Sequence, residues 1–69
     1  MELDPVKLKR ARQSRAMTQA ELAKAAGIRQ GTVSLLEQDD RTSPARMSTV
    51  RKLADALGID PSEIISEKE

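Results

Sequence analysis

Between Met47 and Leu57 the chain sets apolar side chains at Met47, Val50, Leu53, Ala54 and Leu57. These are positions i, i+3, i+6, i+7 and i+10, the stripe of an amphipathic helix resting on a core, and Gly58 closes it. The pattern leaves open whether the helix begins at Pro44, capped by Ser43, or a turn later near Met47.

The same spacing, punctuated by capping residues, predicts further helices on either side. Asp4 is an N-cap residue followed by Pro5, whose missing N–H costs nothing at the first helical position. A helix from there to about Arg15 puts Val6 or Leu8, Ala11 and the stem of Arg15 on its inner face. Thr18 and Glu21 have the spacing of a capping box, so a second short helix follows and ends near Ala26. Gly27 takes a positive φ without penalty, and Ile28 turns back to the core.

A third helix is predicted from about Gln30 to Gln38, with Val33, Leu36 and Glu37 inward and Gln30, Gly31, Ser34 and Leu35 outward. Asp39 to Pro44 reads as loop. Asp60, Pro61 and Glu63 combine an N-cap, a first-position proline and a third-position glutamate, predicting a short fifth helix that carries Ile64 and Ile65. Ser66 to Glu69 reads as a frayed tail. The expected fold is all-α: five helices in one domain spanning residues 1–69, ordered from about 5 to 65.

Composition narrows what such a bundle can do. The 69 residues contain no Phe, Trp, Tyr, Cys or His, so the core is thin and aliphatic. Disulfides, thiolates, the usual zinc ligands and imidazole catalysis are removed together. An enzyme is not expected, since five short helices leave little volume for a water-excluding pocket, and no metal or cofactor is called for. No apolar run approaches the roughly 20 residues of a membrane span, and Met1 to Pro5 lacks the order of a signal peptide, so a cytoplasmic protein is expected.

The net charge is only +1, but it is unevenly distributed. Residues 1–31 carry seven cations against three anions, +4, whereas residues 32–69 carry five against eight, −3. A chain of this kind can turn one face to phosphate while remaining soluble, although a mixed solvated surface accounts for the counts equally well. Single-strand binding leans on aromatic stacking and is disfavoured here.

Two short helices joined by a glycine turn, the second with a polar, nearly uncharged outer face, can set that second helix in the major groove of duplex DNA. The residues that carry this are Leu8, Ala11 and Arg12, then Met17-Thr18-Gln19-Ala20-Glu21-Leu22-Ala23, Gly27-Ile28, Val33, Leu36-Glu37, Leu53-Ala54 and Leu57-Gly58-Ile59. Together they resemble the phage repressor and Cro-like helix-turn-helix (XRE) family over about Leu8 to Ile65.

The resemblance implies a lambda-repressor-like domain whose second and third helices form the DNA-reading unit. It places Gln30 at the first base-reading position, where a glutamine can bond N6 and N7 of adenine. Thr32 and Ser34 are short hydroxyl donors suited to a phosphate or a base edge. Gly31 departs from the family, so either the backbone comes close to DNA there or that base pair goes unread. Gln19 would hold a phosphate or brace the first reading residue. Arg29 replaces the usual Ser or Thr N-cap, giving up about 1 kcal/mol of capping for a guanidinium that can reach phosphate or guanine. Arg41 and Thr42 stand where such proteins grip the backbone, with Arg10 as a further cationic contact. Asp39 and Asp40 cut against this unless they point away or pair with Arg41 or Arg46. Leu35 can meet a thymine methyl or pack along a loop or interface. Arg12 and Glu37 match a family pair that ties the first helix to the third.

The function expected is a sequence-specific double-stranded DNA-binding transcription regulator, a repressor acting as a stand-alone homodimer on a near-palindromic operator, with no small-molecule effector. Leu57, Ile59, Ile64 and Ile65 are expected at the dimer interface, with core packing the competing role for at least two of them. The other reading is a helical protein-interaction adaptor that keeps the fold without specific DNA binding.

Overall fold

The computed structural model describes residues 2–38 and 43–66. Asp39, Asp40, Arg41 and Thr42, and the tail from residue 67, lie outside the described residues, and of Ser43 and Pro44 only the backbone is described. Four α-helices follow one another as α1 (Pro5–Ser14), α2 (Gln19–Ala26), α3 (Gln30–Glu37) and α4 (Met47–Leu57), with a 3-10 turn at Pro61–Glu63. The fold is all-α, with α2 packed on α3 and α4, and α1 on α3.

The helix starts follow the capping chemistry. The Asp4 carboxylate accepts the N–H of Val6 at 2.9 Å and of Lys7 at 3.3 Å. Thr18 Oγ1 accepts from the Glu21 amide at 3.0 Å while Glu21 Oε1 accepts from the Thr18 amide at 2.8 Å, closing the capping box. The α4 helix opens at Met47 with Arg46 at its N-cap and no side-chain cap, which settles its start.

Three helices leave by one device. Gly27 (φ +72°) and Gly58 (φ +69°) adopt the left-handed conformation after α2 and α4. The next residue's amide then reaches back to a carbonyl, Ile28 to Ala23 at 2.9 Å and Ile59 to Ala54 at 3.0 Å. The α1 helix ends in the same way, Met17 N–H bonding Arg12 C=O at 3.2 Å, but the left-handed residue is Ala16, at φ +55°. In each case the following side chain, Met17, Ile28 or Ile59, packs on the core. An L-residue with a Cβ pays about 1–2 kcal/mol for this conformation, partly offset by the greater unfolded-state freedom of glycine. Ala16→Gly is therefore expected to raise stability by about 0.5–1 kcal/mol, read as a higher Tm by circular dichroism.

The core is Leu3, Leu8, Leu22, Ala23, Ala26, Val33, Val50, Leu53, Ala54, Leu57 and Ile64, all buried and all aliphatic. Two features depart from the pattern reading. Met47, the first residue of the predicted stripe and of α4, is 52% exposed. The chain before Asp4 is part of the fold: Leu3 is fully buried, and Glu2–Leu3 (β1) pairs antiparallel with Ser43–Pro44 (β2), Leu3 opposite Ser43.

The fifth helix is replaced by the 3-10 turn. Asp60 and Glu63 form the expected cap, with Asp60 accepting the Ser62 amide at 2.9 Å. The chain is then drawn into extended pairing before a second turn can form: Ile64 C=O accepts the Asp4 amide at 2.9 Å, Ile65 bridges Leu3, and Glu2 C=O accepts the Ser66 amide at 2.8 Å. Ser66 is thus tied to the first strand and is not part of a frayed tail. The Ser62 bond holds the Asp60 pKa below its ordinary value. Its contribution is present above the unfolded aspartate pKa and fades as pH falls through the folded one.

Candidate nucleic-acid interface

The α3 helix carries one formal charge, Glu37, and the fold hides it. Its side chain is 1% exposed and that of Arg12 is 12% exposed. The guanidinium grips the carboxylate with both prongs, Nε to Oε2 at 2.8 Å and Nη2 to Oε1 at 2.9 Å. Hydrogen bonding to Glu37 raises the Arg12 pKa, against the opposing effect of desolvation. The third donor, Nη1, bonds the Met17 carbonyl at 2.7 Å, so one side chain joins α1, the α1–α2 turn and α3.

The outward surface of α3 is left open and uncharged. Gln30, Gly31, Ser34 and Leu35 are exposed, and Thr32 is half-buried. No carboxylate of α3 reaches this side, so nothing on the helix itself repels a phosphate backbone. Arg29, exposed at the N-cap, makes no side-chain cap bond, since a guanidinium has no acceptor to offer the first amides of the helix. A Cβ built on Gly31 meets nothing within 4 Å, so glycine there is not demanded by the packing of the chain itself.

Gln19, at the start of α2, is half-buried, and its Nε2 donates to Glu37 Oε1 at 3.1 Å. The carboxylate buried beneath α3 therefore also orients the first side chain of α2. The link was not read from the sequence. Its signal was the inward placement of Glu37, whose four acceptor lone pairs exceed what two Arg12 donors fill.

The other cations of α1 are divided. Lys7 Nζ bonds the Ile65 carbonyl at 3.3 Å and Arg15 Nη2 approaches the Gly58 carbonyl at 3.5 Å. Arg10 is exposed and lines an open groove with Lys7, Ala11, Ser14, Ile59 and Glu63. It therefore shares a surface with Ile59, a residue assigned from sequence to the dimer contact.

That assignment needs correction at two of its four residues. Leu57 and Ile64 are buried within the chain itself, at 1% and 0% exposure, and offer no surface to a second copy. They lie inside because α4 turns its stripe to the core and the 3-10 turn folds Ile64 under it. Ile59 and Ile65 remain partly accessible.

A helix-turn-helix family model matches residues 8–64. Among solved structures, the restriction-modification controller protein C.AhdI from Aeromonas hydrophila is similar at 29% identity and a TM-score of 0.76, over 86% of each chain. Cadmium-bound PhpD (TM-score 0.81) and a mutant hydroxyethylphosphonate dioxygenase (TM-score 0.84) are each similar at 26% identity over all of this chain. The chain spans only 14% of the length of those two proteins. No curated protein sequence matches it. Among the described residues no helix is long and apolar enough to cross a membrane. With α2 and α3 joined by the Gly27 turn, the outer face of α3 open, and the family model covering most of its length, the chain belongs to the helix-turn-helix family of the XRE type.

Proposed function

We propose that the chain is a sequence-specific repressor that reads the major groove of a near-palindromic operator as a homodimer, with residues 1–69 acting as one DNA-binding domain. The observation that carries the reading is the open outer face of α3, its single charge buried against Arg12 while Gln30, Gly31 and Ser34 face away from the core. Gln30, in the first turn, reads adenine; Ser34 and Thr32 add contacts to a base edge or phosphate; and the Gly31 backbone lies close to the groove. Gln19 and Arg29 hold phosphates, with Arg41 and Thr42 beyond α3 and Arg10 of α1 as further backbone contacts.

Pairing follows from affinity. One helix touching four or five base pairs binds too weakly to select a site, whereas two set about 34 Å apart read both halves of an inverted repeat. Of the four aliphatic residues expected at that contact, Ile59 and Ile65 are the two that stay partly accessible. The likeness to a restriction-modification controller supports a regulatory role. The likeness to the dioxygenase is confined to a seventh of its length, and no activity is carried over from it.

Selection of duplexes from a random library, followed by sizing of the bound complex, tests the reading: an inverted repeat bound by two chains is expected, and no enrichment at moderate salt would refute it. On the selected site Gln30→Ala is expected to cost about 1–3 kcal/mol and to flatten preference at one base pair per half-site. Titration against the four variants of that base pair measures this.

A further inference from the structure

The homodimer of the proposed function needs more surface than Ile59 and Ile65 provide. A stable interface takes roughly 800 Å² from each partner, and two half-buried isoleucines fall well short of that. The contact must therefore extend onto their neighbours. Ile59 lines the open groove along α1, and Lys7 of the same groove bonds the Ile65 carbonyl at 3.3 Å, so both isoleucines adjoin one surface.

That surface carries opposite charges on its two walls. Arg10, on the α1 wall, is exposed and among the described residues has no hydrogen bond or ion pair. Glu63, on the other wall, is exposed too, and only its Oε2 is engaged, accepting the Asp60 amide at 3.1 Å. The two share the groove without pairing, Arg12 with Glu37 being the one salt bridge among the described residues. Ala11 and Ile59, both half-buried, give the groove its aliphatic lining. A two-fold axis running along such a groove sets the α1 wall of each copy against the Glu63 wall of the other, so that Arg10 meets a carboxylate and the aliphatic linings meet each other. Duplex DNA fits only half of this surface, because its phosphates attract Arg10 and repel Glu63.

We propose that this groove is the face through which two copies of the chain associate, Arg10 of each pairing with Glu63 of the partner subunit. This rests on the homodimer reading and assigns Arg10 to the subunit contact in place of the DNA backbone. By symmetry each dimer contains the pair twice.

Charge reversal provides the test. The affinity of each chain for the selected inverted repeat is divided by its affinity for a single half-site, a ratio that cancels the change in net charge and isolates association between copies. Arg10→Glu and Glu63→Arg are each expected to lower this ratio about tenfold, since both pairs of the dimer turn from attraction to repulsion. An equimolar mixture of the two variants is expected to recover the ratio of the parent, because a complex of one chain of each carries one reversed pair and one native pair, both attractive. Loss of the Asp60 cap in Glu63→Arg would not be repaired by a partner chain, so recovery by the mixture identifies the pairing itself. A mixture no better than its components would overturn the proposal. So would equal loss by Arg10→Glu on the half-site and the repeat, which would return Arg10 to the DNA backbone. The absence of any preferred duplex would instead remove the DNA-reading assignment. Sedimentation equilibrium without DNA then decides the pairing: tighter association of the mixture than of either variant supports it, and equal association overturns it.

Discussion

Arg12→Ala is expected to lose about 3–5 kcal/mol of folding free energy, the cost of leaving one partner of a buried ion pair uncompensated. A domain of this size holds on the order of 3–10 kcal/mol in total, so the variant should be largely unfolded well below the Tm of the parent. The loss has two sources. Glu37, 1% exposed, keeps only the Gln19 amide as a partner, and the Met17 carbonyl loses its 2.7 Å donor at the exit of α1. Adding Glu37→Gln to Arg12→Ala separates them, because a neutral amide of the same shape does not carry a stranded charge. If charge burial dominates, the double variant recovers much of the stability. If the turn dominates, it stays as unstable as Arg12→Ala. Urea melts followed by far-ultraviolet circular dichroism provide the measurement, since the chain has no aromatic residue to report by fluorescence. A single variant within 1 kcal/mol of the parent would contradict the buried pair.

Leu3→Ala is expected to cost about 2–5 kcal/mol, the range for emptying a fully buried leucine site that cannot collapse completely. At this chain length that lowers Tm by roughly 4–8 °C per kcal/mol. Leu3 is surrounded by backbone that has little freedom to fill the void: its strand pairs with Ser43–Pro44 on one side and bridges Ile65 on the other. A pairing of two residues has no stability of its own. Its persistence depends on the leucine beneath it, so the variant should also loosen the join between the two ends of the described chain. Faster hydrogen exchange at the Asp4 and Ser66 amides, which bond Ile64 and Glu2 carbonyls, would report this directly. Exchange there unchanged from the parent would show that the strand stands without Leu3.

Much of the interface was legible before any coordinates. The Thr18 to Glu21 box, the Gly27 turn and the inward Val33 and Glu37 are local signals, each resting on residues within one or two helical turns of each other. They settle where α2 and α3 begin and end, and therefore which side chains of α3 face outward. The pairing of Arg12 with Glu37 came from family resemblance, because a contact between residues 25 positions apart has no local signature. The bond from Gln19 to the same carboxylate was not foreseen, for the same reason.

The assignments that needed correction share one cause. Leu57 and Ile64 are read from the sequence as dimer contacts, with core packing the competing role for at least two of the four residues. The thin, aromatic-free interior in fact uses both. The fifth helix was expected from a valid cap, but a cap specifies only how a helix starts; backbone pairing with Leu3 and Asp4 takes the chain away after Glu63.

Periodicity and capping, which act between near neighbours, were thus sufficient for the presence of the four helices and the exposed side of α3, but not for every inner position, since Met47 of the predicted α4 stripe is exposed. Contacts between distant segments settled the rest: which aliphatic side chains are enclosed, where the first strand lies, and how the only charge of α3 is hidden. These depend on how close the folded chain brings residues that are far apart in sequence, a distance that one-dimensional pattern does not encode.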